Sequence, residues 1–231
     1  MRIVRLAEVG STNTVAREYY DDGERDALWV IAERQIAGRG RLDRDWTSET
    51  GNLYATALLP RPKGPIGAMA FIAAVAVADT LADFIDDDLI ALKWPNDALM
   101  DGRKVAGILC ETVEDHVICG IGINIAHHPD TTRWPATHLA EHMPGVRANA
   151  VFERLHNRMG EVVSQNERQG WDVIRGRWMS FAFGLGREVS VDLGDKRLAG
   201  RFRGVGANGE FLLSTPSGTV PIVAGDVSYT G

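Results

Sequence analysis

The sequence holds only two cysteines, Cys110 and Cys119, and no Cys-x-x-Cys pair. That shortage excludes a disulfide scaffold or a thiolate-rich metal centre and makes a reducing cytoplasm the expected compartment. Long apolar runs are missing too. The longest spans residues 66–78 and is broken by Asp79 and Asp83, so no membrane span is expected. The opening Met-Arg-Ile-Val-Arg-Leu-Ala-Glu is too short and too charged to read as a signal peptide. Positive charge is in deficit, with 25 Lys and Arg against 31 Asp and Glu and a net charge of −6. This argues against general nucleic-acid binding through phosphate neutralisation. Neither G-x-x-x-x-G-K-[ST] nor His-Glu-x-x-His occurs, which removes the P-loop and the zinc-protease helix from consideration.

What remains is an ordinary soluble composition, 45% hydrophobic and 24% charged over 231 residues, enough for one full domain and a small second one. Against the acidic background, residues 32–46 gather Arg34, Arg39, Arg41 and Arg44 with Gly38, Gly40 and Trp46. The flanking β-rich runs at 27–32 and 52–59 predict strands, so this stretch is a loop hung from a sheet. Glycines at 38 and 40 leave backbone N–H groups open to a ligand, and the guanidiniums offer planar forks for phosphate or carboxylate oxygens. The loop is therefore read as an anion-binding one.

The rest of the chain supplies a frame. Residues 3–6 predict a first strand, and Ser11-Thr12-Asn13 a capped helix start running to about Tyr20. Residues 66–85 are apolar on almost every face and predict a buried helix, followed by a solvated turn at Asp86-Asp87-Asp88. In Lys93-Trp94-Pro95-Asn96-Asp97, Pro95 ends a strand and presents Asn96 and Asp97 at its tip. Asp101-Gly102 predicts a hairpin turn into a strand at 103–111, and 117–125 predicts the next. With Glu114-Asp115 as a two-residue turn, antiparallel register sets Gly107 opposite Gly122 and Cys110 opposite Cys119. Two facing glycines would bare a patch of sheet for a flat ligand; the cysteines are expected to remain thiols.

Histidines His127-His128 and the His138/His142 pair invite a metal reading. No cysteine or carboxylate completes a convincing set in sequence, so no metal centre is expected. Asn149 is the expected cap of a helix carrying Val151, Phe152, Leu155, Met159, Val162 and Val163, interrupted by Gly170 before Trp171, Ile174 and Trp178. From Gly184 onward, short alternating segments at 187–193, 198–204, 210–215 and 219–223 predict a small β-barrel. Residues 204–209 spell G-x-G-x-x-G but open onto a strand, so they read as turn glycines and not as a dinucleotide loop.

Several stretches in order, Gln-Ile-Ala-Gly-Arg-Gly-Arg-Leu-Asp-Arg-Asp-Trp at 35–46, Lys-Trp-Pro-Asn-Asp at 93–97, Lys-x-x-Gly-Ile-Leu-x-Glu at 104–111 and Gly-x-Gly-Ile-Asn at 120–124, resemble the signatures of biotin protein ligases. Ala-Thr-His-Leu at 136–139 departs from the family's Ala-Thr-Ser-Leu by carrying His138. The resemblance implies an α+β fold: a mixed sheet with flanking helices, like class II aminoacyl-tRNA synthetases, over residues 1–181, then an SH3-like barrel over 182–231. It implies ATP-dependent activation of biotin to biotinyl-5′-AMP, with Mg²⁺ on the ATP, and transfer to a lysine of a biotin carboxyl carrier protein. Catalytic roles then fall to Lys104, Arg39, Arg41 and Asp97. Biotin contacts fall to Ser11, Thr12, Asn13, Gln35, Gly38, Arg39, Gly40, Arg41, Lys104, Gly107, Gly120 and Gly122, and adenylate contacts to Arg39, Arg41, Arg44, Trp46, Asn96, Lys104 and Asn124.

Rival readings are a lipoate or octanoate ligase of related fold, a biotin-sensing repressor, and an inactive biotin-binding module. Ten residues before Ser11 are too few for a DNA-binding helix-turn-helix, so the ligase-only form is expected, as a monomer or homodimer.

Overall fold

The structure is a computed structural model describing residues 1–130, 132, 134–194 and 196–229. Strand β1 (Arg2–Val9) leads through helix α1 (Thr12–Asp21) to β2 (Leu28–Gln35), which pairs parallel to it. Then come β3 (Leu53–Pro60), helix α2 (Ala68–Ala82), β4 (Ile90–Lys93), β5 (Asp97–Met100), β6 (Arg103–Val113) and β7 (His116–Ile123), all antiparallel to their neighbours. The seven strands lie in the order β1-β2-β3-β7-β6-β5-β4. This is the mixed sheet with flanking helices that the sequence implies.

Turn chemistry sets the register. Asp101 and Gly102 have φ of 50° and 70°, the paired positive values that a tight hairpin needs. Between β6 and β7, Val113 pairs with His116, so Glu114-Asp115 is a two-residue turn, Gly107 faces Gly122 and Cys110 faces Cys119. The two thiols lie 3.4 Å apart. Hydrogen bonding to Cys119, then burial, pushes the Cys110 thiol well above its ordinary pKa.

One sheet face is covered by α2, whose alanines and valines are buried on nearly every side, and behind it by α3 (Ala148–Gln169) and α4 (Trp171–Ser180). Gly170 joins these two helices at φ 86°, the left-handed conformation that glycine adopts without penalty. The expected cap Asn149 is instead inside α3. Arg147 holds the cap position without a side-chain bond, and Asn149 accepts a hydrogen bond from Arg5 on β1. Helix α2 begins two residues later and ends three earlier than the 66–85 pattern, starting just beyond Gly67. On the opposite sheet face α1 buries Ala16 and Tyr20 against Leu28, Val30, Leu58 and Ile118.

Strands β8 (Glu188–Asp192), β9 (Arg197–Val205), β10 (Phe211–Thr215), β11 (Gly218–Ile222) and β12 (Asp226–Tyr229) form a second, antiparallel sheet in the order β11-β10-β9-β8-β12, the SH3-like part. Among the described residues its two edge strands do not pair, so the sheet is not closed into a ring. The turn reading of 204–209 holds: Gly209 N donates to Gly206 O and Gly206 N to Glu210 O. The two sheets share a core through Trp94, which lies 5.3 Å from Phe211 and donates from Nε1 to Gly209 O at 3.1 Å. Among the described residues no helix is long and apolar enough to cross a membrane.

Candidate active site

Residues paired across a sheet share a face, and the register lines up Lys93, Asp97, Gly107, Gly122 and Tyr54 in one row across β4, β5, β6, β7 and β3. A second row one step along places Leu109, Gly120 and Thr56 on the same face. Glycine at 107, 120 and 122 strips this patch of side chains. The floor so made opens into a cavity of about 400 Å³.

At one end stands the start of α1. Ser11 is its N-cap by position, yet its hydroxyl makes no capping bond. Thr12 donates from both N and Oγ1 to Gln35 Oε1, at 2.8 and 3.0 Å. Thr56 Oγ1 lies 2.8 Å from Thr12 Oγ1 and from Asn13 Oδ1, and Asn13 Nδ2 donates to Glu111 at 2.9 Å. A side chain at 120 would collide with Asn13 Oδ1, so glycine there admits the helix start. These small polar groups, all nearly buried, form a preset amide- and hydroxyl-lined wall.

At the other end a bulge between β5 and β6 brings Lys104 beside Asp97, their Nζ and Oδ1 atoms 2.5 Å apart. The backbone of Lys104 is clamped by the segment beyond β7: its N donates to Pro135 O and its O accepts from Thr137 N. Asn124 secures that segment, donating from Nδ2 to Thr137 O at 3.1 Å. Asn96 donates to Ile108 O at 2.7 Å and accepts from Arg41 at 3.5 Å.

The arginine loop roofs the cavity. An isolated bridge pairs Arg39 with Asp45, Trp46 N donates to Gly38 O, and Gly40 N donates to Arg44 O. The N–H of Gly40 is therefore engaged within the loop. Gly38 does not reach the cavity: a Cβ there would stand 2.5 Å from Ser48 Oγ and Trp46 O, so its glycine serves the loop's own closure. Gln35 lines the cavity, yet its amide is held by Thr12 on one side and by Ser48 on the other. Arg39 and Arg41 both face inward, Arg39 3.7 Å from Glu111. Burial lowers the pKa of the Arg41 guanidinium, while the charge of Asp226 acts the other way. Arg44 is turned toward the second sheet, where it meets Asp226 at 3.1 Å. The Trp46 indole lies flat on the bare floor, with its ring atoms 2.6 Å and 2.8 Å from where Cβ atoms on Gly122 and Gly107 would stand.

The structure thus gathers Ser11, Thr12, Asn13, Gln35, Arg39, Gly40, Arg41, Arg44, Trp46, Asn96, Asp97, Lys104, Gly107, Gly120, Gly122 and Asn124 around one cavity and leaves out Gly38. Several of its walls are absent from the sequence reading. Lys93 is buried in the floor row with its Nζ 4.8 Å from the Trp134 ring centroid. Trp134 comes from the segment after β7, and Asp226, Val227 and Ser228 come from β12. Lys93 stood in a quoted motif and was readable; the others arrive from distant stretches without a local pattern.

A family model described as "Biotin/lipoate A/B protein ligase family" matches residues 7–124, and one described as "Biotin protein ligase C terminal domain" matches 184–229. The chain belongs to the biotin/lipoate A/B protein ligase family. It is similar to the biotin--[acetyl-CoA-carboxylase] ligase of Paracoccus denitrificans, 33% identical over 98% of this chain and 100% of that protein. The corresponding ligase of Mycobacterium tuberculosis is 30% identical, over 97% of this chain and 87% of its own. Among solved structures, the biotin protein ligase from Aquifex aeolicus in complex with biotin and ATP superposes with a TM-score of 0.86 at 30% identity, covering 99% of this chain and 98% of that one.

Proposed function

We infer that this chain is a biotin–protein ligase, which uses ATP to join biotin to a lysine of a biotin carboxyl carrier protein. The observation that carries the reading is the glycine floor between a polar helix start and Lys104, roofed by inward-facing Arg39 and Arg41. A flat bicyclic head lies on bare backbone there, its ureido group meets the Ser11–Asn13 wall, and its carboxylate points at Lys104.

Two anions must meet in the first step. A biotin carboxylate oxygen attacks the α-phosphorus of ATP, the bond to the bridging oxygen breaks, and pyrophosphate leaves with the Mg²⁺ that accompanied ATP. Lys104, Arg39 and Arg41 offset the charge that builds on the phosphoryl oxygens, in a cavity where such interactions are stronger than in water. In the second step a neutral carrier lysine attacks the acyl carbon, an amide forms and AMP leaves. Asp97 holds the incoming ammonium and receives its proton, once Lys104 has turned to the phosphate. Asn96 fixes Arg41, and Arg44 latches the roof through Asp226, keeping water from the mixed anhydride.

We divide the chain at residues 181/182 into a catalytic part and an SH3-like part, and place its work in the cytoplasm, where ATP and unbridged thiols coexist. Labelled-biotin transfer with ATP to a carrier domain tests the function, with lipoate and octanoate as comparison. Transfer of biotin alone is expected. A preference for lipoate or octanoate would overturn it.

A further inference from the structure

The segment that clamps Lys104 also carries a cluster with no part in the chemistry above. His128 Nδ1 lies 2.8 Å from His138 Nδ1, and Glu141 Oε1 lies 3.4 Å from the first and 3.3 Å from the second. The three side chains come from two places. His128 follows β7, while His138 and Glu141 sit at i and i+3 on one turn of 3-10 helix, residues Leu139–Glu141 with His138 as its cap. The i,i+4 partner suggested by the sequence, His142, is not in the cluster; a carboxylate three residues from His138 takes that place.

We propose that His128, His138 and Glu141 form a binding site for a divalent transition metal, zinc first. A tetrahedral zinc with ligands at about 2.0–2.1 Å sets neighbouring ligand atoms about 3.3 Å apart. Both Glu141 distances meet that spacing, and the two imidazoles need to part by only about half an ångström. Only one proton fits between the two Nδ1 atoms, so one of them already presents a lone pair. Metal binding displaces that bridging proton to solvent and gives both rings to the cation. The second carboxylate oxygen of Glu141 accepts from Arg103 at 2.8 Å, the outer hydrogen bond that orients a metal-bound carboxylate. All three side chains are between a fifth and a third exposed, leaving an open face for a water as fourth ligand.

The composition of the set decides the class of cation. Two imidazoles and one carboxylate suit zinc, cobalt or nickel; magnesium and calcium prefer all-oxygen sites. The site adjoins residues 135–137, where Pro135 and Thr137 hold the Lys104 backbone, with His138 directly after them. It stands independently of the ligase reading, since none of its residues lines the cavity.

Titration of the whole chain with Zn²⁺, followed by heat and by proton release, and with Co²⁺, followed by visible absorption, tests the site. One equivalent is expected to bind, with release of protons near neutral pH. His138→Ser and Glu141→Gln, each checked for native circular dichroism, should each weaken binding by about tenfold or more. Cys110→Ser should leave it unchanged. Absence of one-to-one binding, affinity unaltered in His138→Ser, or a thiolate–cobalt band lost with Cys110→Ser would each overturn the proposal.

Discussion

Trp46 Nε1 lies 2.6 Å from the place a Cβ on Gly122 would take, so the indole of the roof rests on the floor of its own cavity. It stays there with Lys104 Nζ 5.2 Å from its ring centroid, while Nε1 is buried without a hydrogen-bond partner among the described residues. A buried unpaired N–H costs about 1–3 kcal/mol, which makes the resting position easy to leave. Biotin seated on this patch is expected to displace Trp46 from it. The expected readout is a tryptophan fluorescence change on biotin addition that Trp46→Phe largely removes, although five other tryptophans remain of the six. An undiminished change in that variant would place the moving ring elsewhere.

Gly122→Val should separate floor from fold. The added side chain meets the indole and the ligand position, and overpacking costs about 1–3 kcal/mol, so a modest drop in melting temperature is expected. Biotin affinity should fall far more, by about a hundredfold, because a branched side chain occupies the ring's seat. Calorimetric titration checks it, and near-normal affinity would remove the glycine patch from the biotin site.

The Lys104–Asp97 pair predicts a split between the two half-reactions. Lys104→Gln should slow adenylate formation by about 10² to 10³, the usual loss for one donor facing developing charge. Asp97→Asn should still form biotinyl-adenylate but transfer it slowly to the carrier lysine. Pyrophosphate exchange and single-turnover transfer read the two steps apart.

Arg41→Gly is expected to let the activated intermediate escape, since Arg41 joins the roof to Asn96 on the opposite wall. Labelled adenylate retained as long as in the unaltered chain would contradict this. Asp226→Ala should shorten retention in the same direction but less, because the Arg44–Asp226 pair is partly exposed and such pairs contribute about 0–1 kcal/mol.

His156 predicts a pH effect on stability. Its ring packs near Trp29 and Phe152, and burial, then the charge of the N-terminus, lowers its proton affinity below the ordinary histidine value. The unfolded chain takes up the proton first, so this contribution to stability is complete above the usual pKa of about 6.5 and is lost as pH falls below it. His138, lowered chiefly by burial, acts in the same direction. Melting temperature measured from about pH 7.5 down to about 5.5 should decline, and less steeply in His156→Gln.

What the sequence disclosed and what it withheld follow from range. The Gly107–Gly122 and Cys110–Cys119 pairings were readable because one two-residue turn fixes the register of a hairpin. The arginine loop was readable from its charge against an acidic chain. Trp46 on the floor and the β12 strand at the cavity rim join distant stretches, and no local period announces them; His128 and His138 were visible as candidate ligands, but not that the chain brings them together with Glu141. Gly38 stands apart from the cavity for a different reason: a glycine beside arginines suggests room for a ligand, but the space a side chain would fill there is taken by Ser48 and the Trp46 carbonyl.

The Arg44–Asp226 latch spans 182 positions of chain. A polypeptide that ends between β11 and β12 keeps the strands of the floor and the helix start but loses this fastening of its roof, leaving the Arg41–Asn96 contact to hold it. Such a fragment would be expected to grip biotin yet leak what it activates, turning a selective modifier into a diffuse acylating agent.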